Sequence, residues 1–136
     1  MSSFSPSPFL RYALVGDALA SGAMGLLLVL AAGPLTGLLG LPEALMRAAG
    51  LILLPYAAVI AFLGTRARIS PRAVWAVIAV NGVWVADSLI LLASGWVSPT
   101  GLGYAFVLTQ ALAVFVFAGA QYLGVCRAAR TWPAAA

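Results

Sequence analysis

A chain of 136 residues makes one domain at most. Apolar residues fill 64% of it and charged residues only 7%, whereas soluble domains carry roughly 25% charged residues. Seven arginines and three acidic residues cannot cover a soluble surface, and the same figures exclude a disordered chain. A membrane protein remains, in keeping with a mean hydropathy of +1.10.

In chain order, the first ten residues hold serines and prolines and no charge, and read as a loose arm. An apolar run from about Tyr12 to Ala32 predicts a first spanning helix. Ala18-Leu19-Ala20 has the pattern of a signal-peptide cleavage site, but Asp17 interrupts the apolar stretch, so the segment is read as a span. Gly33 to Pro42 is apolar but too short to cross; it reads first as a tight turn, with a segment along the outer surface or a re-entrant one as the alternative. Further spans follow over about 44–64, 73–94 and 102–125, with connections punctuated by Arg, Gly and Pro. At ~1.5 Å per residue each span matches a hydrocarbon core of about 30 Å. The expected fold is an all-α, four-transmembrane-helix bundle filling one domain, 1–136, with a first span at 12–32.

The arginines set an orientation. Arg11 precedes the first span, Arg66, Arg68 and Arg72 fill the second long connection, and Arg127 and Arg130 follow the last span. With four spans these six lie on one side, and only Arg47 lies on the other. The positive-inside rule then places both termini in the cytoplasm of a bacterial cell, in its inner membrane. The six arginines serve topology and contact with anionic headgroups, so the net charge of +4 does not call for a nucleic-acid partner. Tyr12, Trp75, Tyr122 and Trp132 fall near that interface, and Trp96 and Tyr104 near the opposite one.

Missing residue types limit the chemistry. With no His and no Lys, the chain has no Ser-His-Asp triad, histidine metal site, haem histidine, Walker A lysine or Schiff-base lysine. The single Cys126 cannot form an internal disulfide or a thiolate cluster. No metal, cofactor or enzymatic activity is expected.

Polar residues inside the spans carry the remaining information, because a charge in hydrocarbon is costly. Asp17 lies about six residues into the first span, and Ser21 follows at i+4 on the same face. Asn81 sits near mid-membrane in the third span, with Ser88 seven residues on. Gln110 and Gln121 are eleven residues apart, close to three turns, and share a face. Depth alone sorts these residues into two groups. The inner one comprises Asp17, Ser21, Tyr56, Asn81 and Gln121; the outer one comprises Arg47 and Asp87, as an ion pair, with Gln110. Pro55 predicts a kink beside Tyr56. Gly16 to Ala20 and Ser21 to Gly25 have the small-xxx-small spacing that lets helices approach closely, by default within the monomer.

The stretch from Asn81-Gly82-Val83-Trp84-Val85 through Ser94-Gly95-Trp96, with Pro99-Thr100-Gly101-Leu102-Gly103, Gln110-Ala111 and Gln121-Tyr122-Leu123-Gly124, resembles a group of small bacterial four-helix integral membrane proteins. That resemblance implies a topology and no activity. A looser architectural likeness, to the small multidrug-resistance transporters, rests on four short helices and an acidic residue in the first. That family uses a glutamate, however, and its motif does not map onto Val15-Gly16-Asp17-Ala18. The six-to-one arginine bias also argues against the antiparallel dimers of dual-topology transporters and fluoride channels. Two functions are expected from the residues. One is a non-catalytic module that binds lipid or another apolar ligand, or an accessory subunit of a larger membrane complex. The other is a small transporter or channel, working as a parallel oligomer with Asp17 as its protonatable group.

Overall fold

The computed structural model describes residues 2–131. Among these residues the regular structure is helical: α1 (Pro8–Leu30), α2 (Ala32–Leu39), α3 (Glu43–Thr65), α4 (Pro71–Ser94) and α5 (Gly101–Thr131). The four long helices are long and apolar enough to cross a membrane. Their outward faces carry large exposed apolar side chains, among them Leu19, Leu30, Leu112 and Phe115. An apolar outer face beside a packed inner one is what a bundle in lipid requires. Trp132 lies outside the described residues.

Local signals start the helices. Ser7 precedes Pro8, and its Oγ accepts from the Leu10 amide at 3.2 Å. Ser70-Pro71 repeats the arrangement of an N-cap followed by proline, whose missing N–H costs nothing in a first turn. Pro55 removes one amide from α3, yet the helix continues from Glu43 to Thr65.

Contacts between the helices define their directions. Gly25 of α1 meets Gly50 of α3, and Val15 meets Gly64, so α1 and α3 are antiparallel. Gly16 meets Phe117 and Leu10 meets Gly124, so α1 and α5 are antiparallel. Trp75 with Tyr122 and Trp84 with Gln110 give the same relation for α4 and α5. The start of α1, the end of α5 and the α3–α4 connection thus gather at one end of the bundle, and α2 lies at the other. Six of the seven arginines belong to the first end.

Two expectations are corrected at the ends. The N-terminal arm is tied down rather than loose: Phe4 and Ile69 exchange two backbone hydrogen bonds of 2.9 Å, and both side chains are buried. Arg68 adds a bond of 2.8 Å to the Ser3 carbonyl. The apolar segment after the first span is the two-turn helix α2 rather than a tight turn. Pro34 falls in its first turn, where no amide is needed. Gly40 (φ 68°) ends it in the left-handed region. Its last carbonyls, of Leu38 and Leu39, accept from the hydroxyl and amide of Thr100.

Packing divides along the axis. At the termini end Leu10, Leu14, Ile60, Val74, Val77 and Val125 form a closed core that draws on all four long helices. At the α2 end the core is Leu28, Ala32, Leu39, Met46, Leu53 and Val107, and α4 adds only the partly buried Trp84 and Leu92 to its apolar packing. The bundle is sealed at one end and splayed at the other.

Candidate functional site

Asp17 lies where the four long helices converge. It is 1% exposed, although a carboxylate belongs in water. One turn further along α1, Ser21 Oγ donates to its Oδ1 at 3.1 Å. From α4 the Asn81 Nδ2 donates to Oδ2 at 2.9 Å, and from α5 the Gln121 Nε2 donates to the same oxygen at 2.8 Å. The Tyr56 hydroxyl of α3 lies 2.5 Å from Asn81 Oδ1 and 3.2 Å from Asp17 Oδ2. A phenol has one proton, and the shorter contact assigns it to Asn81. Asn81 also donates to Gln121 Oε1 at 3.1 Å. The carboxylate is therefore held by neutral donors, and among the described residues no arginine pairs with it.

All five residues of the inner group are thus brought together, and the local pattern explains how. Asp17 and Ser21 share the buried stripe of α1 with Leu10, Leu14 and Leu28. Asn81 lies on the buried stripe of α4 with Val74, Val77 and Ser88. Gln121 sits between Gly124 and Ala111 on the buried side of α5. Small residues bring the backbones close enough for these short side chains to meet. A Cβ on Gly50 would stand 2.7 Å from the Gly25 carbonyl oxygen, and one on Gly124 would stand 2.9 Å from Leu10 Cβ.

The outer group is not brought together. Arg47 pairs with Glu43 at 2.7 Å, one turn away on its own helix, and not with Asp87. The bundle is splayed at this end, so similar positions along the helix axes do not bring Arg47 of α3 and Asp87 of α4 together. The i,i+4 spacing of Glu43 and Arg47 meets no such obstacle. Gln110 belongs to a different set: its Oε1 accepts from Trp84 Nε1 at 2.7 Å, and its Nε2 donates to Ser88 Oγ at 3.1 Å. Among the described residues Asp87 has neither a hydrogen bond nor an ion pair.

Splaying leaves two apolar clefts. One, of about 480 Å³, lies between α1 and α5; Asp17 and Ser21 stand in its wall with Met24, Phe106 and Phe117. The other, of about 430 Å³, lies between α3 and α4; it is lined by Met46, Ala49, Ile52, Trp84, Asp87 and Trp96. Met24, Phe106 and Gln110 face both clefts and form the partition between them. The sequence reading missed this partition. Met24 follows Asp17 at i+7 and shares its face, but Phe106 looks like an ordinary lipid-facing or core residue, and nothing local marks where two helix pairs part.

Besides Arg68, three arginines at the end opposite α2 contact the protein. Arg11 Nη1 donates to the Gly64 carbonyl at 2.6 Å and caps the end of α3. Arg66 lies 4.8 Å from the Phe62 ring centre, and Arg127 lies 5.3 Å from that of Phe9. Arg72 and Arg130 are exposed at the same end. Among the described residues no three His, Cys, Asp or Glu side chains gather as metal ligands. Comparison with protein-family models, curated proteins and solved structures finds no match to this chain.

Proposed function

We propose that the protein is a multi-pass membrane protein that holds an apolar ligand of the lipid class between its helices, as a non-catalytic binding module or as the accessory subunit of a membrane complex. The observation that carries this reading is the pair of clefts that part the bundle at one end, each large and lined mostly by apolar side chains. Cavities of roughly 300–1,000 Å³ with a few placed polar groups are typical of small-molecule sites. The sealed end, tied by the Asp17 group, supplies a rigid base. The arginine distribution supports a bacterial inner-membrane protein with both termini in the cytoplasm. In that orientation the clefts open toward the outer leaflet.

A lipid carrying a photoreactive group in its acyl chain tests the reading in nanodiscs. Labelling should concentrate on Met24 and Phe106, which face both clefts. Labelling spread evenly over Leu19, Leu112 and Val116 on the outward faces would contradict it.

One observation favours a second reading, in which a small transporter uses Asp17 as its protonatable group. The buried carboxylate stands in the wall of the α1/α5 cleft, and an ionisable residue inside a membrane bundle marks ion or substrate pathways. Proton flux in liposomes that is lost in Asp17→Asn would support it. Equal flux in Asp17→Asn and the parent, or no flux in either, would remove it.

A further inference from the structure

The two clefts separate the same two bodies. Helices α1 and α3 are knit at both ends: Gly25 and Gly50 meet near α2, and Gly64 packs on Leu14 and Val15 at the termini end. Helices α4 and α5 are likewise joined at two levels, by Trp75 with Tyr122 and by Trp84 and Ser88 with Gln110. Contacts between the pairs are less even. On the termini side of the clefts, the core there and the buried Asp17 group hold all four long helices together. Beside the clefts the pairs meet through the side chains of the partition, Met24, Phe106 and Gln110, and through Val107.

A second tie lies at the α2 end. Thr100, just before α5, donates from its amide to the Leu39 carbonyl at 3.0 Å and from its hydroxyl to the Leu38 carbonyl at 2.8 Å. The same hydroxyl accepts from the Gly103 amide at 3.1 Å. The fit is close. A Cβ on Gly40 would stand 2.8 Å from the Ser98 carbonyl oxygen, and one on Gly103 would clash with the Leu39 carbonyl oxygen. The two ties differ in kind. Thr100 is exposed, so water can replace its bonds to α2. Asp17, Asn81 and Gln121 are buried where water does not compete. The α2 end is therefore the part of the bundle that opens at least cost.

We propose that the α1–α3 and α4–α5 pairs are two rigid bodies hinged at the level of Asp17. The contact of Thr100 and Gly103 with the end of α2 is the clasp between them. Its release swings the pairs apart and joins the two clefts across the Met24–Phe106 partition. Hinged closure of this type pivots on a few residues while packed elements move as units. The device governs entry to the clefts, but its test reads a distance in protein without added ligand. It therefore stands or falls separately from the binding reading above.

The test is the distance between two spin labels, measured by pulsed electron paramagnetic resonance on the full chain in nanodiscs. Cys126→Ala removes the native thiol. One label pair, Ala44→Cys with Ala93→Cys, spans α3 and α4 at the α2 end; the other, Ala61→Cys with Ala76→Cys, spans the same helices at the termini end. All four positions are exposed. Gly103→Ala, which forces the start of α5 off α2, should lengthen the first distance by several ångströms and leave the second at its parent value. Thr100→Val, which removes the hydroxyl bonds and keeps the amide one, should add a longer-distance population to the first pair alone. Gly101→Ala, where an added Cβ meets nothing within 4 Å, should match the parent at both pairs. The proposal is overturned if the α2-end distance keeps its parent value in both Gly103→Ala and Thr100→Val. It is equally overturned if both label pairs change alike, or if Gly101→Ala shifts as Gly103→Ala does.

Discussion

Asp17 draws donors from α1, α4 and α5, and the arrangement works only as a set. A buried carboxylate is tolerable when its oxygens are hydrogen-bonded, and here Ser21, Asn81 and Gln121 do this without a counter-cation. Replacing it by Leu leaves the Asn81 and Gln121 amides facing an apolar side chain. Asp17→Leu should therefore lower stability by about 1–3 kcal/mol, read from denaturation in detergent micelles; an unchanged midpoint would contradict the network. Asn81 and Gln121 share both a mutual bond and the acceptor Asp17. A double-mutant cycle of Asn81→Ala and Gln121→Ala should show coupling of about 0.5–3 kcal/mol, and strict additivity would mean that the two act independently. Much of this group was legible from periodicity, because Asp17 with Ser21 and Asn81 with Ser88 keep helical spacing. The Arg47–Asp87 pair was misread for a related reason. Residue counting gives position along a helix axis but not which helices touch at that level.

Between helices, the α1–α3 contact depends on Gly25 and Gly50. A Cβ on Gly50 would meet the Gly25 carbonyl oxygen at 2.7 Å and Val29 Cγ2 at 2.8 Å. The nearest of these atoms is backbone, so the helices themselves must part. Gly50→Ala should cost roughly 1–3 kcal/mol, as overpacking does. Gly82 and Gly119 lie in helices with nothing within 4 Å of an added Cβ. Alanine there should be neutral or stabilising by up to about 1 kcal/mol, the difference in helix propensity. Thermal unfolding of the three variants side by side checks this: similar losses at all three would mean the close approach is not needed. The small-xxx-small spacing was visible in the first span, and its use inside the monomer agrees with the default reading. Helix α2 was not visible as a helix, because a segment holding Gly33, Pro34 and Gly37 reads as a turn. Its C-terminal carbonyls are satisfied by Thr100, more than sixty residues away in sequence, a contact that no local pattern announces.

For the molecule as a whole, composition and hydropathy were enough for four membrane-length helices, and their boundaries fall within a few residues of those read from the apolar runs. The exception is α5, which continues to Thr131 because Val125, Cys126 and Ala128 still pack on the core at the termini end. The clefts were not legible, since they arise from how two helix pairs diverge. The arginine asymmetry carries a topological prediction. A reporter active only in the cytoplasm should be active when fused after Thr131, and one active only outside should be active when inserted at Gly37; the reverse pattern would invert the proposed orientation. The central claim is that the clefts hold lipid, and closing them tests it most directly. Ala49→Trp fills the α3/α4 cleft and Ala113→Trp the α1/α5 cleft. In protein purified from membranes, each change should lower the lipid carried per chain, and the double variant should carry least while remaining folded. A double variant that is folded and carries as much lipid as the parent would contradict the account.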